Sequence, residues 1–156
     1  MVQRSIRGFH QDDDGDWVAE LSCLHGQHVR HQPPFQNRPW VLTPQGRADR
    51  IEELVDCPLC DRAELPDGLV VSRTAGPFDE TTLPEGLRRS HRVADGTWAC
   101  LRVVSGALRL TLETDPPLEL NLEAPAAQPI PPTVSHSVAV SGRVLLAIDF
   151  LVAPPT

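Results

Sequence analysis

The sequence contains no lysine. Its 14 basic residues are all arginine, set against 21 Asp and Glu for a formal net charge of -7. A chain so short of positive charge argues against a general nucleic-acid binder, because attraction to phosphate needs a basic face. Using Arg alone fits genome composition as well as selection for anion recognition. Long apolar runs are missing too. There is no stretch of about 20 apolar residues and no charged-then-apolar leader at the start, so a soluble, unexported, cytoplasmic protein is expected. Cysteine is scarce, with four residues at positions 23, 57, 60 and 100. In a reducing cytoplasm, clustered cysteines read as metal ligands before disulfides. At 156 residues the chain can form one domain or two small ones, and a small domain needs stabilisation beyond its core.

Read along the chain, Ile6 to Gln11 and Asp16 to Leu21 look like two short strands around Asp12-Asp13-Asp14-Gly15, which is hairpin grammar. The acidic run lacks the Glu that closes a calcium loop twelve positions from its start, so it reads as a solvated turn. Pro33, Pro34 and Pro39 exclude a regular helix between His25 and Trp40. A helical turn or two is expected from Pro44 to Leu54, with Ile51, Leu54 and Val55 on one face. The composition shift near residues 61 to 66 marks a boundary, giving an N-terminal module of residues 1–62, a linker of 63–77 and a C-terminal domain of 78–156.

The C-terminal part has an all-β pattern. Strands are expected at Trp98 to Val104, Ala107 to Glu113, Leu118 to Leu122, His136 to Val140 and Arg143 to Phe150. Ser105-Gly106 and Ser141-Gly142 are read as turns and Asp115-Pro116-Pro117 as a break. Leu108, Leu110 and Leu112 alternate with polar residues, as do Leu118, Leu120 and Leu122, which puts leucines on one face. Short strands at this spacing suggest a sandwich or barrel. Cys100, in the strand after Trp98, is expected to be a small core residue.

Cys57-Pro58-Leu59-Cys60 is a C-x-x-C knuckle, a spacing that lets two thiolates approach one ion. A redox pair shares the motif but normally sits in a βαβ unit, which the prolines do not provide. Cys23-Leu24-His25 supplies a second pair of ligands two residues apart. Together the four make a closed Cys3His set suited to structural zinc, with no open position for a substrate water. His28 could replace His25. The His28-Val29-Arg30-His31 cluster reads as polar support for the loop before catalysis. Arg30, Arg38 and Trp40 could instead recognise a partner, and the acidic charge favours a protein over a nucleic acid.

These residues carry a resemblance. Gly8-Phe9-His10, Asp16-Trp17-Val18-Ala19, Cys23-x-His25-x-Gln27-His28-Val29-Arg30-His31-x-Pro33-Pro34, Arg38-Pro39-Trp40-Val41 and Cys57-x-x-Cys60 resemble a small family of uncharacterised bacterial proteins over residues 6 to 61. The resemblance implies a zinc-ribbon-like module and carries no activity. Leu24 stands where relatives usually have Gly, which matters if that position needs a positive φ.

In the C-terminal part, His91 and His136 could converge inside a small barrel, and Asp149, flanked by Ile148 and Phe150, would be the third ligand of a facial site for a divalent metal. Equally, the two histidines could be satisfied structural groups and Asp149 could face water. A second resemblance bears on this. Leu83-Pro84 to His91, Gly96-Thr97-Trp98, Val103-x-x-Gly106-x-Leu108, Pro132-x-x-x-His136-x-Val138 and Ile148-Asp149-Phe150-Leu151-Val152-Ala153-Pro154 are similar to the YeaR-like cupins, relatives of the N-terminal domain of tellurite resistance protein B. This covers about residues 78 to 155.

The resemblance implies a single cupin-like barrel (a double-stranded β-helix), a metal site at His91 and His136, Trp98 at a ligand pocket, and pairing into homodimers through strand edges. Ser135 replaces the aromatic that relatives carry before the histidine. The paired His-x-His and Glu of metal cupins are missing, which weakens an oxygenase reading. The relatives are linked to oxyanion stress such as tellurite, or to nitrosative stress. No methyltransferase domain follows, so methylation is not expected.

Two functions therefore stand open. One is a non-catalytic stress-response protein with a structural zinc and a barrel that holds a small molecule, oxyanion or metal. The other is a metal-dependent cupin enzyme with its ion at His91, His136 and Asp149.

Overall fold

A computed structural model describes residues 1–155. The chain divides into two compact units, one of Gln3–Cys57 and one formed by Met1–Val2 with the chain from Pro58 onward.

The first unit is built on an antiparallel four-stranded sheet in the order β3-β2-β1-β4. Strand β1 (Gln3–Gln11) and β2 (Trp17–Leu21) form the expected hairpin, ending on the pair Gln11–Trp17. The acidic run is its turn: one carboxylate oxygen of Asp12 accepts from the N–H groups of Asp14 (3.0 Å) and Asp16 (2.9 Å), and Gly15 takes φ 82°. The segment after His25 is more ordered than its prolines suggest, since Gly26–Val29 is strand β3, paired along β2.

The 3₁₀ turn Pro39–Leu42 leads into α1 (Pro44–Ala48), capped by the Thr43 hydroxyl, which accepts from Gly46 N–H at 3.0 Å. The expected helical face of Ile51, Leu54 and Val55 does not form. Glu52 takes φ 72°, which ends helical continuation. Leu54 then lies in strand β4 (Leu54–Asp56) on the sheet edge, 60% exposed. Strand β4 delivers the chain to Cys57, and the single turn α2 (Pro58–Asp61) carries Cys60.

The second unit is mainly β. Strand β5 (Val70–Asp79) occupies most of the segment read as a linker. Its Gly and Pro residues are tolerated because it pairs only with β10 (Val144–Val152) and lies at the sheet edge. A short helix, α3 (Glu85–Arg89), follows. The centre is β6, a 15-residue strand from Trp98 to Leu112. Ser105-Gly106 does not reverse the chain, as its turn composition suggested. Gly106 takes φ 76°, and the strand runs on because each half finds its own neighbours. Residues 98–106 pair with β10 and 99–103 with β8 (Ala126–Ile130), whereas 107–112 pair with β7 (Leu118–Glu123) and 109–112 with β9 (His136–Ala139).

Alternation decides which side chains face inward. Ala99, Leu101 and Val103 from one half of β6 and Leu108, Leu110 and Leu112 from the other enter one core. Leu146 and Ile148 of β10, Ile130 of β8 and Val138 of β9 join them. Leu118, Leu120 and Leu122 pack against this core, as their spacing predicts. Cys100 alternates out of it. It is half-buried on the opposite face, directly paired with Asp149, and burial, followed by that carboxylate, pushes its thiol up.

Candidate metal centre and ligand cavity

Four side chains converge in the Cys/His-rich region. The ligand atoms of Cys23, His25, Cys57 and Cys60 all lie within 4.8 Å of one another, and all four residues are buried. Local geometry explains how they are aimed. Between β2 and β3 the chain makes a tight turn closed by Leu24 N–H to Leu21 C=O (2.8 Å) and Leu21 N–H to His25 C=O (3.0 Å). Leu24 takes φ 75° within it, and that left-handed residue turns its two neighbours to the same side. From the other direction, α2 starts immediately after Cys57, and one helical turn brings Cys60 back beside it.

The distances are those of a tetrahedral ion. With Zn–S near 2.3 Å and Zn–N near 2.0 to 2.1 Å, ligand atoms should stand about 3.8 Å apart for two sulfurs and about 3.6 Å for sulfur and nitrogen. Here the sulfurs of Cys23 and Cys57 are 3.8 Å apart, and Nδ1 of His25 is 3.3 Å from the first and 3.5 Å from the second. A sulfur separation of 3.8 Å is no disulfide. Burial opposes charge on His25, yet the neighbouring sulfurs of Cys23 and Cys57 outweigh it and raise its pKa to about 10. The donor set of three cysteine sulfurs and one imidazole fits zinc or a similar borderline-soft cation.

The remaining residues of this region take other work. His28 points away from the cluster, its Nε2 2.9 Å from Asp12 of the hairpin turn. His31 Nδ1 accepts from Arg38 N–H at 3.0 Å. Trp40 meets Phe9 edge to face at 6.0 Å and lies under the Arg50 guanidinium, and Trp17 lies under Arg47. Arg30 and Arg38 are exposed.

The second unit brings His91 and His136 together. Their ring centroids are 5.4 Å apart at 69°, and they edge a cavity of about 360 Å³ whose walls include Phe78, Leu87, Ile148 and Phe150. His136 is buried. Its Nδ1 faces the Val134 carbonyl at 3.4 Å, and burial, with His91 nearby, lowers its pKa to about 4. It is therefore neutral at pH 7.

Asp149 does not join them. Ile148 and Phe150 line the cavity, so alternation sends Asp149 to the opposite face, where it accepts from Arg102 at 2.7 and 3.1 Å and from the Thr74 hydroxyl at 2.8 Å. Arg102 holds its carboxyl below the usual carboxylate range. Trp98, expected at the pocket, is instead fully buried and outside the cavity lining. Ser135 bonds the Ser90 hydroxyl at 2.6 Å.

Two contributors were not apparent from sequence. Phe150 could have been found from its two-residue spacing to Ile148. Arg73, on β5, had no signal, because its segment read as a linker.

Among the described residues no helix is long and apolar enough to cross a membrane. No curated protein matches the chain. Residues 7–64 match a family described as a protein of unknown function, DUF3565, and residues 73–147 match the TehB-like domain. Among solved structures, a protein from E. coli strain K12 is similar at 25% identity and TM-score 0.54, over 59% of this chain and 98% of that one. TehB from Haemophilus influenzae is similar at 19% identity and TM-score 0.47, over 56% of this chain and only 32% of that one. The sequence is thus similar to a DUF3565 protein over its first part and to the TehB-like domain over its second.

Proposed function

We propose that this chain is a non-catalytic binding protein of the stress-response type, in which a structural zinc stabilises the N-terminal module and a small cupin-like barrel, formed by β5 to β10 and begun at Val70 where sequence places it from 78, holds a small molecule. The observation that carries the reading is the contrast between its two histidine sites. Cys23, His25, Cys57 and Cys60 offer four mutually close, buried ligands, a set that fills a tetrahedral ion and leaves no position for a reacting water. His91 and His136 meet at a cavity, but no acidic side chain lines it, and Asp149 is committed to Arg102.

The cupin-like reading is supported by the long strand β6, whose two halves take different partners around one core. It is also supported by the similarity to the TehB-like domain, whose link to tellurite resistance is the ground for the stress-response assignment. Zinc, when bound, would supply cross-linking of the loop after β2 to the start of α2, and the energy of that cross-link is folding energy for the module.

Metal analysis of the purified protein tests the proposal. One zinc equivalent is expected, held at neutral pH and lost with partial unfolding in Cys57→Ala. Full zinc retention in that variant would overturn the zinc assignment. A second equivalent that disappears in His91→Ala/His136→Ala would favour the metal-dependent enzyme instead.

A further inference from the structure

We infer that the cavity between β5, α3 and β10 is a site for a small organic monoanion with an apolar body, such as an aromatic or short-chain carboxylate. The inference rests on the reading of the second unit as a small-molecule-binding protein and goes on to name the ligand's chemistry.

The walls set the first requirement. Of the twelve lining residues, nine carry apolar side chains or none: Phe78, Leu87, Val93, Ile148 and Phe150 are the larger ones. A volume of about 360 Å³ is at the small end for ligand pockets. A bare inorganic ion would leave most of those walls without a partner.

The polar groups set the second. Among the described residues they are Arg73, His91 and His136, with no carboxylate, although the chain as a whole carries a net charge of -7. Arg73 decides the sign. Its guanidinium carbon lies over the Phe150 ring, 3.9 Å from the centroid. A cation–π contact of this kind consumes no N–H donor, so the guanidinium N–H groups can still meet a bidentate acceptor. Four other arginines are held by carboxylates: Arg50 pairs with Glu53, Arg62 with Glu64, Arg89 with Glu85 and Arg102 with Asp149. Among the described residues no carboxylate pairs with Arg73. Asp149 lies on the opposite face of β10 and is already bound by Arg102 and Thr74. A cation would meet Arg73 and find no opposing charge. A carboxylate would meet the guanidinium N–H groups at the cavity, with its hydrocarbon part against Leu87, Ile148 and Phe150.

Titration of the full-length, zinc-loaded protein with benzoate, hexanoate, benzyl alcohol, benzylamine and sodium selenite, followed by backbone amide shifts at Leu87, His91 and Phe150, tests this. Benzoate or hexanoate should shift these signals saturably, and should bind at least tenfold more tightly than benzyl alcohol or benzylamine. Arg73→Gln should remove that tenfold preference while leaving the weak binding of benzyl alcohol unchanged. Arg73 is exposed, so the variant should keep its fold, and unchanged shifts elsewhere check this. Equal binding of benzoate and benzyl alcohol, or an unaltered preference in Arg73→Gln, overturns the anion assignment and leaves the binding-protein reading in place. Selenite shifting the same signals while the carboxylates do not overturns the apolar-body requirement alone. If no compound of any charge shifts them, both readings fall.

Discussion

His91 and His136 exchange both backbone hydrogen bonds, N to O at 2.9 Å in each direction, and their rings meet edge to face at the cavity. The bridge fixes the start of β9 against the chain that follows α3. It places one exposed and one buried imidazole at the same opening, so the two side chains experience different solvent. The buried one, His136, is held neutral at pH 7 by desolvation.

Folded His136 titrates near 4, well below the value of about 6.5 for an unfolded histidine. Between those values the unfolded chain binds more protons than the folded one, so this group makes stability rise with pH over that window and fall on acidification. The stabilisation is fully present above about pH 6.5. Taken over the whole window the loss is about 3 kcal/mol as an order of magnitude. Urea unfolding between pH 4 and 7 should show a shallower pH dependence in His136→Gln than in the wild type. Acid loss of zinc affects both proteins equally, so parallel slopes would refute the assignment.

Asp149 tests the two metal readings independently of the histidines. It accepts from Arg102 and Thr74 on the face opposite the cavity, so Asp149→Asn should leave metal content and carboxylate binding unchanged. Its cost is to stability, about 1 kcal/mol for a charge-assisted pair that solvent partly screens. Elemental analysis and chemical denaturation of the variant measure the two effects separately. A drop in bound metal would restore Asp149 as a ligand.

The features that could be read from sequence are those fixed by local chemistry. The β1-β2 hairpin follows from Asp12 and Gly15, the leucine faces from two-residue alternation, and the Cys23/His25/Cys57/Cys60 set from ligand type and spacing. What could not be read depended on partners distant in the chain. Val70–Asp79 looks like a linker until β10 is there to pair with it. Ser105-Gly106 looks like a turn because nothing local reveals that β10 and β7 pair with successive stretches of one strand. Asp149 looks like a ligand because Ile148 and Phe150 flank it in sequence, whereas alternation puts those two on the other face of the strand.

Leu24 stands at φ 75° between two ligands of the metal cluster. The left-handed region costs a side chain about 1 kcal/mol or more, so Leu24→Gly should be more stable than Leu24→Ala by about 1 kcal/mol. Ala removes the leucine contacts but keeps the strain, while Gly removes both. At ordinary backbone positions the order is reversed, because Gly loses more entropy on folding. Thermal unfolding of the two variants at saturating zinc checks the order, and Ala above Gly would mean that the turn relaxes out of this conformation.

Gly106 is the position where the second unit tolerates no side chain. It holds φ 76° in the middle of β6, and a Cβ there would lie 2.0 Å from the carbonyl oxygen of Arg143, on the backbone of the paired chain. Relief requires β6 and the start of β10 to separate at the point where β6 passes from its first set of partners to its second. Gly106→Ala should therefore cost about 3 kcal/mol or more, in the range of strain at a special backbone position combined with core disruption. Gly142 is the control. It lies in the nearby turn with nothing within 4 Å of its Cβ position, so Gly142→Ala should change stability by only about 0.5 kcal/mol. Unfolding followed by the fluorescence of Trp98, which is fully buried in this unit, separates the two. Equal midpoints would show that β6 and β10 can adjust around a side chain at position 106, and the left-handed Gly106 would no longer account for how one strand passes from β10 to β7.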